Sequence, residues 1–148
     1  MNADECVFCR IVADDLESSR VYDDQHLLAF MDNRPVTQGH LLVIPKVHAP
    51  RLADLDEKLG ASMFCVAQRL AAALRTSGLP CEGVNLFLAD GAAAFQEVPH
   101  VHLHVFPRTS DDSFRIEANW QSRPRTELDE AAEQVRAGLA AHLRSENV

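Results

Sequence analysis

Three histidines stand at every second position of "HVHLHVFPR", residues 100–108 of this 148-residue chain. In an extended strand alternate side chains point to opposite faces, so His100, His102 and His104 share one face while Val101, Leu103 and Val105 form the other. An unperturbed imidazole titrates near pH ~6.5, so at neutral pH most of the ring is uncharged and nucleophilic without a separate strong base. Three such rings in register would repel one another if all were protonated, which makes the row costly as packing alone. A second candidate is the pair Cys6 and Cys9, spaced C-x-x-C. Three readings stand open for it: a redox pair, half of a zinc site awaiting two imidazoles, or two unpaired buried thiols. No strand precedes it to open a thioredoxin-like βαβ unit. His26 and His142 have no comparable sequence neighbours and read as surface or boundary residues.

Composition narrows the partners. The chain carries 22 acidic against 14 basic residues, a net charge of −8, so it lacks the basic face of a duplex nucleic-acid binder. Any phosphate must be held locally, by imidazoles, backbone amides and helix ends. No apolar run reaches the ~18–20 residues of a membrane span, and "MNADECVFCR" lacks the basic and then apolar regions of a signal peptide. The four cysteines do not form a secreted disulfide framework. A cytoplasmic setting is expected, with no membrane and no nucleic-acid partner.

The elements that must position these groups follow from periodicity. After a short helix or irregular stretch over 10–22, "HLLAFMD" (26–32) reads as a strand and "NRPVTQG" (33–39) as a turn. "HLLVIP" (40–45) is a second strand, with His40, Leu42 and Ile44 facing one way and Leu41 and Val43 the other. Asp54 as N-cap with Glu57 three residues on opens the longest helix. Its stripe is Leu55, Leu59, Met63, Val66, Leu70 and Leu74, and Gly78 and Pro80 stop it. "GVNLFLA" (83–89) is a third strand, a Gly/Ala-rich loop spans 90–95, and the histidine strand follows. A further strand is expected after the polar "TSDDSF", then a C-terminal helix from near Thr126 with a face of Leu128, Ala132, Val135, Leu139 and Leu143. Strands around one long helix indicate an α+β fold with an antiparallel sheet.

"HVHLHVFPR" resembles the histidine-triad motif, His-φ-His-φ-His-φ-φ with φ apolar, of the HIT superfamily. "CVFCRIV" (6–12), "LLAFMDNRPVTQGHLLVIPKVH" (27–48) and residues 83–108 resemble the same family in the same order. The resemblance is to its Hint-like and dinucleoside polyphosphate hydrolase-like branch. It implies a HIT-like fold, a sheet of about five strands with one long helix packed on it, and a single domain over 1–148, with a core of 6–108 and an extension of 109–148. It also implies a homodimer.

The implied activity is a nucleotide-binding hydrolase or transferase that attacks the α-phosphate of a purine nucleotide derivative. A phosphoramidate, an aminoacyl adenylate and a dinucleoside polyphosphate are the substrate candidates. In this reading His102 is the nucleophile and forms a transient nucleotidyl-histidine. His104 donates to a phosphate oxygen, and His40 orients the triad. Asp32 and Asn33 hold the ribose and base, Phe30 or Leu28 lines the base pocket, and Gln96 contacts the phosphate. The resemblance further implies a closed, structural zinc site of Cys6, Cys9, His48 and His100. Three positions depart from the Hint-like pattern: Ala89 replaces an Asn, Phe95 a Gly, and Glu97 a Ser whose hydroxyl helps protonate a leaving amine. Glu97, counted here with the substrate-binding residues, could act as leaving-group acid if burial or neighbouring charge raised its pKa. A non-catalytic, nucleotide- and zinc-binding dimeric scaffold is the reading from a different class.

Overall fold

The computed structural model describes residues 3–145. The chain divides into two compact units, the first ending at Phe114 and the second beginning at Arg115. In the first, α1 (Val7–Val12) precedes β1 (Arg20–Asp23), β2 (Leu27–Met31) and β3 (Leu41–Pro45). Helix α2 (Glu57–Thr76), β4 (Gly83–Leu88) and β5 (Leu103–Arg108) follow. The five strands form one sheet in the order β1-β2-β3-β5-β4, with every neighbouring pair antiparallel.

Strand alternation sorts the apolar residues into two layers. Leu27, Ala29, Leu41, Val43, Val101, Leu103 and Val105 pack with Met63, Val66, Ala67 and Leu74 of α2. Leu28, Phe30, Leu42 and Ile44 face the other way and pack with Cys6, Phe8 and Ile11 at the N-terminal arm. The three histidines lie on this second side. Gly39 turns the chain into β3 at φ 97°, a region that L side chains rarely adopt. A Cβ built there would lie 2.9 Å from Leu79 Cδ1 and 3.1 Å from Pro107 Cγ.

Three sequence expectations are corrected. Asp54 does not cap α2: its Oδ2 accepts from the Arg51 N–H at 3.1 Å and closes a single 3-10 turn, Leu52–Asp54. The N-cap is Asp56, whose Oδ1 accepts from the N–H groups of Lys58 at 3.0 Å and Leu59 at 3.1 Å. Both Asp residues can cap a helix, and the Glu57 three residues after Asp54 points to the one that the path of the backbone does not use. The strand expected after "TSDDSF" is absent, since residues 115–124 are irregular. The ladder of β5 begins only at Leu103, because Pro45 at the end of β3 has no N–H to extend it. His100 lies in a bend over residues 98–100 and His102 in the short approach to that strand, which is tied instead by Val101 N–H to the Ala49 carbonyl at 2.7 Å.

The second unit contains α3 (Arg125–Ser145), on which Leu128, Val135 and Leu139 are exposed. No helix among the described residues is long and apolar enough to cross a membrane.

Candidate active site and metal cluster

The histidine row runs from a closed end to an open one. At the closed end His100 is fully buried, and its Nε2–H donates to the Pro45 carbonyl at 2.8 Å. That bond leaves the Nδ1 lone pair aimed at Cys6 Sγ at 3.4 Å, Cys9 Sγ at 3.5 Å and His48 Nδ1 at 3.4 Å. Cys9 Sγ lies 3.3 Å from the same His48 nitrogen. A tetrahedral zinc centre with bonds of ~2.0–2.1 Å to nitrogen and ~2.3 Å to sulfur has edges of about 3.3–3.8 Å, so the four donors converge at metal-site spacing. Burial, then the neighbouring Cys6 thiol, push Cys9 up to about 11, and burial holds His100 down at about 4. A cation among them would reverse the first effect and is favoured by the second, because a neutral imidazole keeps its lone pair. His48 Nε2 is buried without a hydrogen-bond partner. Cys6, Cys9, His48 and His100 therefore fit a zinc ion.

The open end is a cavity of about 1220 Å³ whose lining includes Phe8, Phe30, Asp32, Asn33, His102 and His104. This exceeds the ~300–1,000 Å³ of common small-ligand pockets. His102 Nδ1–H donates to the His100 carbonyl at 2.6 Å, which leaves the lone pair on Nε2. Burial lowers the pKa of this ring, so the nitrogen stays unprotonated at neutral pH.

A chain of contacts sets the tautomers of the other two rings. The Val36 N–H donates to His40 Nδ1 at 3.2 Å, so the proton of neutral His40 sits on Nε2. That proton reaches His104 Nδ1 at 2.8 Å, which places the His104 proton on its own Nε2. Burial holds His104 down at about 4, with the neighbouring His102 and His40 acting in the same direction. His40 is also lowered by burial, against the pull of the Asp32 charge. Asp32, His40 and His104 lie close enough to suggest a second metal site. The proton on His40 Nε2 argues otherwise: a metal would have to replace it and set a new Nδ1–H against the Val36 N–H.

The remaining expected site residues separate. Asp32 Oδ1 accepts from the Arg34 N–H at 2.8 Å and shapes the turn, while its Oδ2 lies 3.6 Å from His40 Nε2, too far for a hydrogen bond. Phe30 lines the cavity; Leu28 is fully buried and does not. Gln96 is absent from the cavity lining. Its Oε1 accepts from Gly91 N–H at 2.7 Å and its Nε2 donates to the Pro50 carbonyl at 2.8 Å, so its amide holds the loop together. Phe95, in left-handed conformation at φ 68°, is 84% exposed on the cavity rim. Ala89 is buried.

Two neighbours of the candidate site went unread in the sequence. Phe8, between the cysteines, sets its ring edge-on to both His100 and His102, with centroids 5.8 Å and 5.2 Å away. Its place inside C-V-F-C was the available signal. Arg34 forms an ion pair with Glu97 across the rim, and nothing local in sequence links residues so far apart.

Comparison with known proteins agrees with this geometry. A family model for the HIT domain matches residues 13–111. A crystal structure of a Zn-bound histidine triad family protein from Mycobacterium smegmatis is 40% identical, with 97% of this chain and 99% of that chain covered and a TM-score of 0.74. An adenylylsulfatase of Arabidopsis thaliana is 31% identical over 95% of this chain and 71% of its own length. An adenosine 5'-monophosphoramidase of Saccharomyces cerevisiae is 32% identical over 73% of this chain and 65% of its own length. With the matched domain, the five-stranded antiparallel sheet and the histidine row in agreement, the chain belongs to the HIT family.

Proposed function

We propose that this protein hydrolyses purine-nucleotide derivatives at the α-phosphorus, with His102 as nucleophile. The observation that carries the reading is the 2.6 Å bond from His102 Nδ1–H to the His100 carbonyl, which leaves the Nε2 lone pair in a cavity large enough for a nucleotide. Nε2 forms a bond to phosphorus as the bond to the leaving group breaks and its electron pair departs with that group. The positive charge on the nucleotidyl-imidazole is stabilised through Nδ1–H by the carbonyl dipole. Water then attacks phosphorus, the N–P bond electrons return to Nε2, and the water proton is released. His104 Nε2–H donates to a non-bridging phosphate oxygen as charge builds there, and His40 positions His104 by fixing its tautomer. Asp32 and Asn33 line the ribose side and Phe30 the base. Gln96 acts by supporting the loop that carries Glu97.

Zinc bound by Cys6, Cys9, His48 and His100 is structural in this reading, since four protein ligands close the tetrahedron. It ties the N-terminal arm to the start of the histidine row. The relatives' names support action on adenylyl compounds, one with a sulfate and one with an amine leaving group. The four free cysteines suit a cytoplasmic setting. A homodimer through the β4 edge is part of the same proposal, because Leu86 and Phe87 are partly exposed there.

The test is rapid-quench turnover of adenosine 5'-phosphoramidate and a diadenosine polyphosphate, with intact-mass detection of an adenylylated protein. Turnover with a transient adduct that His102→Ala abolishes supports the reading. Tight AMP binding with no turnover of any adenylyl compound would replace it with the non-catalytic scaffold.

A further inference from the structure

The rim of the cavity holds its charges unevenly. Among the described lining residues the arginines are Arg20 and Arg34. Arg20 is committed: its guanidinium donates to Asp23 Oδ2 at 3.0 Å, to the Ile11 carbonyl at 2.8 Å and to Asp14. The Arg34 guanidinium is bonded to Glu97 alone among the described residues. Both partners are largely exposed, 77% and 70% by side chain, and pairs of that kind are screened, contribute little to stability and exchange readily. Arg34 leaves the turn after β2, and Glu97 lies in the loop that leads to the histidine row, so the pair spans the mouth. Both Asp32 and Glu97 are near enough for their charges to act on His102 and His104. A group carrying negative charge out of this site has one exchangeable guanidinium to meet.

We propose that Arg34 is the specificity-determining residue for the leaving group: it releases Glu97 and pairs with an anionic leaving group, a sulfate or a phosphate. The inference rests on the hydrolase reading above and names its substrate class. As His102 Nε2 bonds to phosphorus, the bond from phosphorus to the bridging oxygen breaks, and its electron pair goes to that oxygen. A departing sulfate, or a phosphate still esterified to a nucleoside, needs no proton, and its growing charge meets the guanidinium more strongly in the transition state than before it. An amine must instead collect a proton as it leaves, and a Glu97 carboxylate paired with a guanidinium has none to give. The position where the family pattern has a serine hydroxyl here holds the counter-ion of the anion receptor.

The experiment compares the full chain with Arg34→Gln and Glu97→Gln on adenosine 5'-phosphosulfate and adenosine 5'-phosphoramidate. Both side chains are exposed, so neither change threatens the fold. The ratio of kcat/KM, phosphosulfate over phosphoramidate, falls about tenfold in Arg34→Gln and rises severalfold in Glu97→Gln. A ratio unmoved by Arg34→Gln overturns the proposal. Equilibrium binding of ADP and AMP is measured on the same proteins, the β-phosphate of ADP serving as the anion beyond the α-phosphate. Arg34→Gln weakens ADP relative to AMP by about tenfold if the inference holds, and equally or not at all if it fails. Loss of turnover on both adenylyl compounds in the unmodified protein defeats the hydrolase reading, and the ADP-to-AMP ratio still decides the role of Arg34.

Discussion

His100, in the bend before the last strand, and His104, within that strand, share a residue type, yet their rings meet opposite surroundings. His100 is sealed against two thiols and a third imidazole, whereas His104 takes a proton contact from His40 and borders the cavity. His102 between them draws on both: its Nδ1 is anchored to the His100 backbone and its ring lines the cavity. The Phe8 ring is wedged beside the first two. Spacing put three equivalent rings in a row, and the partners brought in from distant parts of the chain gave them different surroundings: one ring faces two thiols, one keeps its Nε2 lone pair beside the cavity, and one keeps an Nε2 proton.

The division can be tested from the open end first. His102→Ala should cut turnover by about a thousandfold or more, while binding of AMP falls far less; comparable losses in both would make the ring a binding group only. At the closed end, Cys9→Ser should release bound zinc, read by metal analysis of the purified protein, and lower the melting temperature. A chain that binds no zinc before mutation removes the metal reading outright. Phe8→Ala tests the boundary itself. Removing a buried ring costs about 3–5 kcal/mol and loosens both neighbours, so denaturant midpoint and kcat should fall together.

The smallest effect is a shift in pH. Burial holds His102 below the ordinary imidazole range, and in the proposed reaction the unprotonated ring is the reactive form. The rate should therefore fall only as pH drops through that lowered value, which places the acid limb of kcat/KM below about 6.5. An acid limb at or above that value would mean that the nucleophile is not shielded as described.

Much of this arrangement was legible in sequence because it rests on period-two alternation. Leu28, Phe30, Leu42, Ile44 and the histidines fell on one side, and Leu41, Val43 and Val105 on the other. The α2 stripe followed for the same reason, through the 3.6-residue period. What stayed hidden depended on the path of the backbone. The caps Asp54 and Asp56 differ only in where the helix begins, and the Gln96 amide points into its own loop because Gly91 and Pro50 offer partners there. Arg34 and Glu97 meet through the fold, not through any spacing. The strand expected near 115–124 is irregular there, a polar run flanked by too few alternating apolar residues.

Gly39 sets a limit on how far this turn can be rewritten. An alanine there would suffer an unfavourable backbone angle, push against the Leu79 methyl and crowd the Pro107 ring at once. No relaxation of one neighbour relieves both, and the residue that follows is His40, whose proton fixes the His104 ring. A saturation library at position 39 should therefore return glycine almost alone among functional clones, although the residue is not among those lining the cavity.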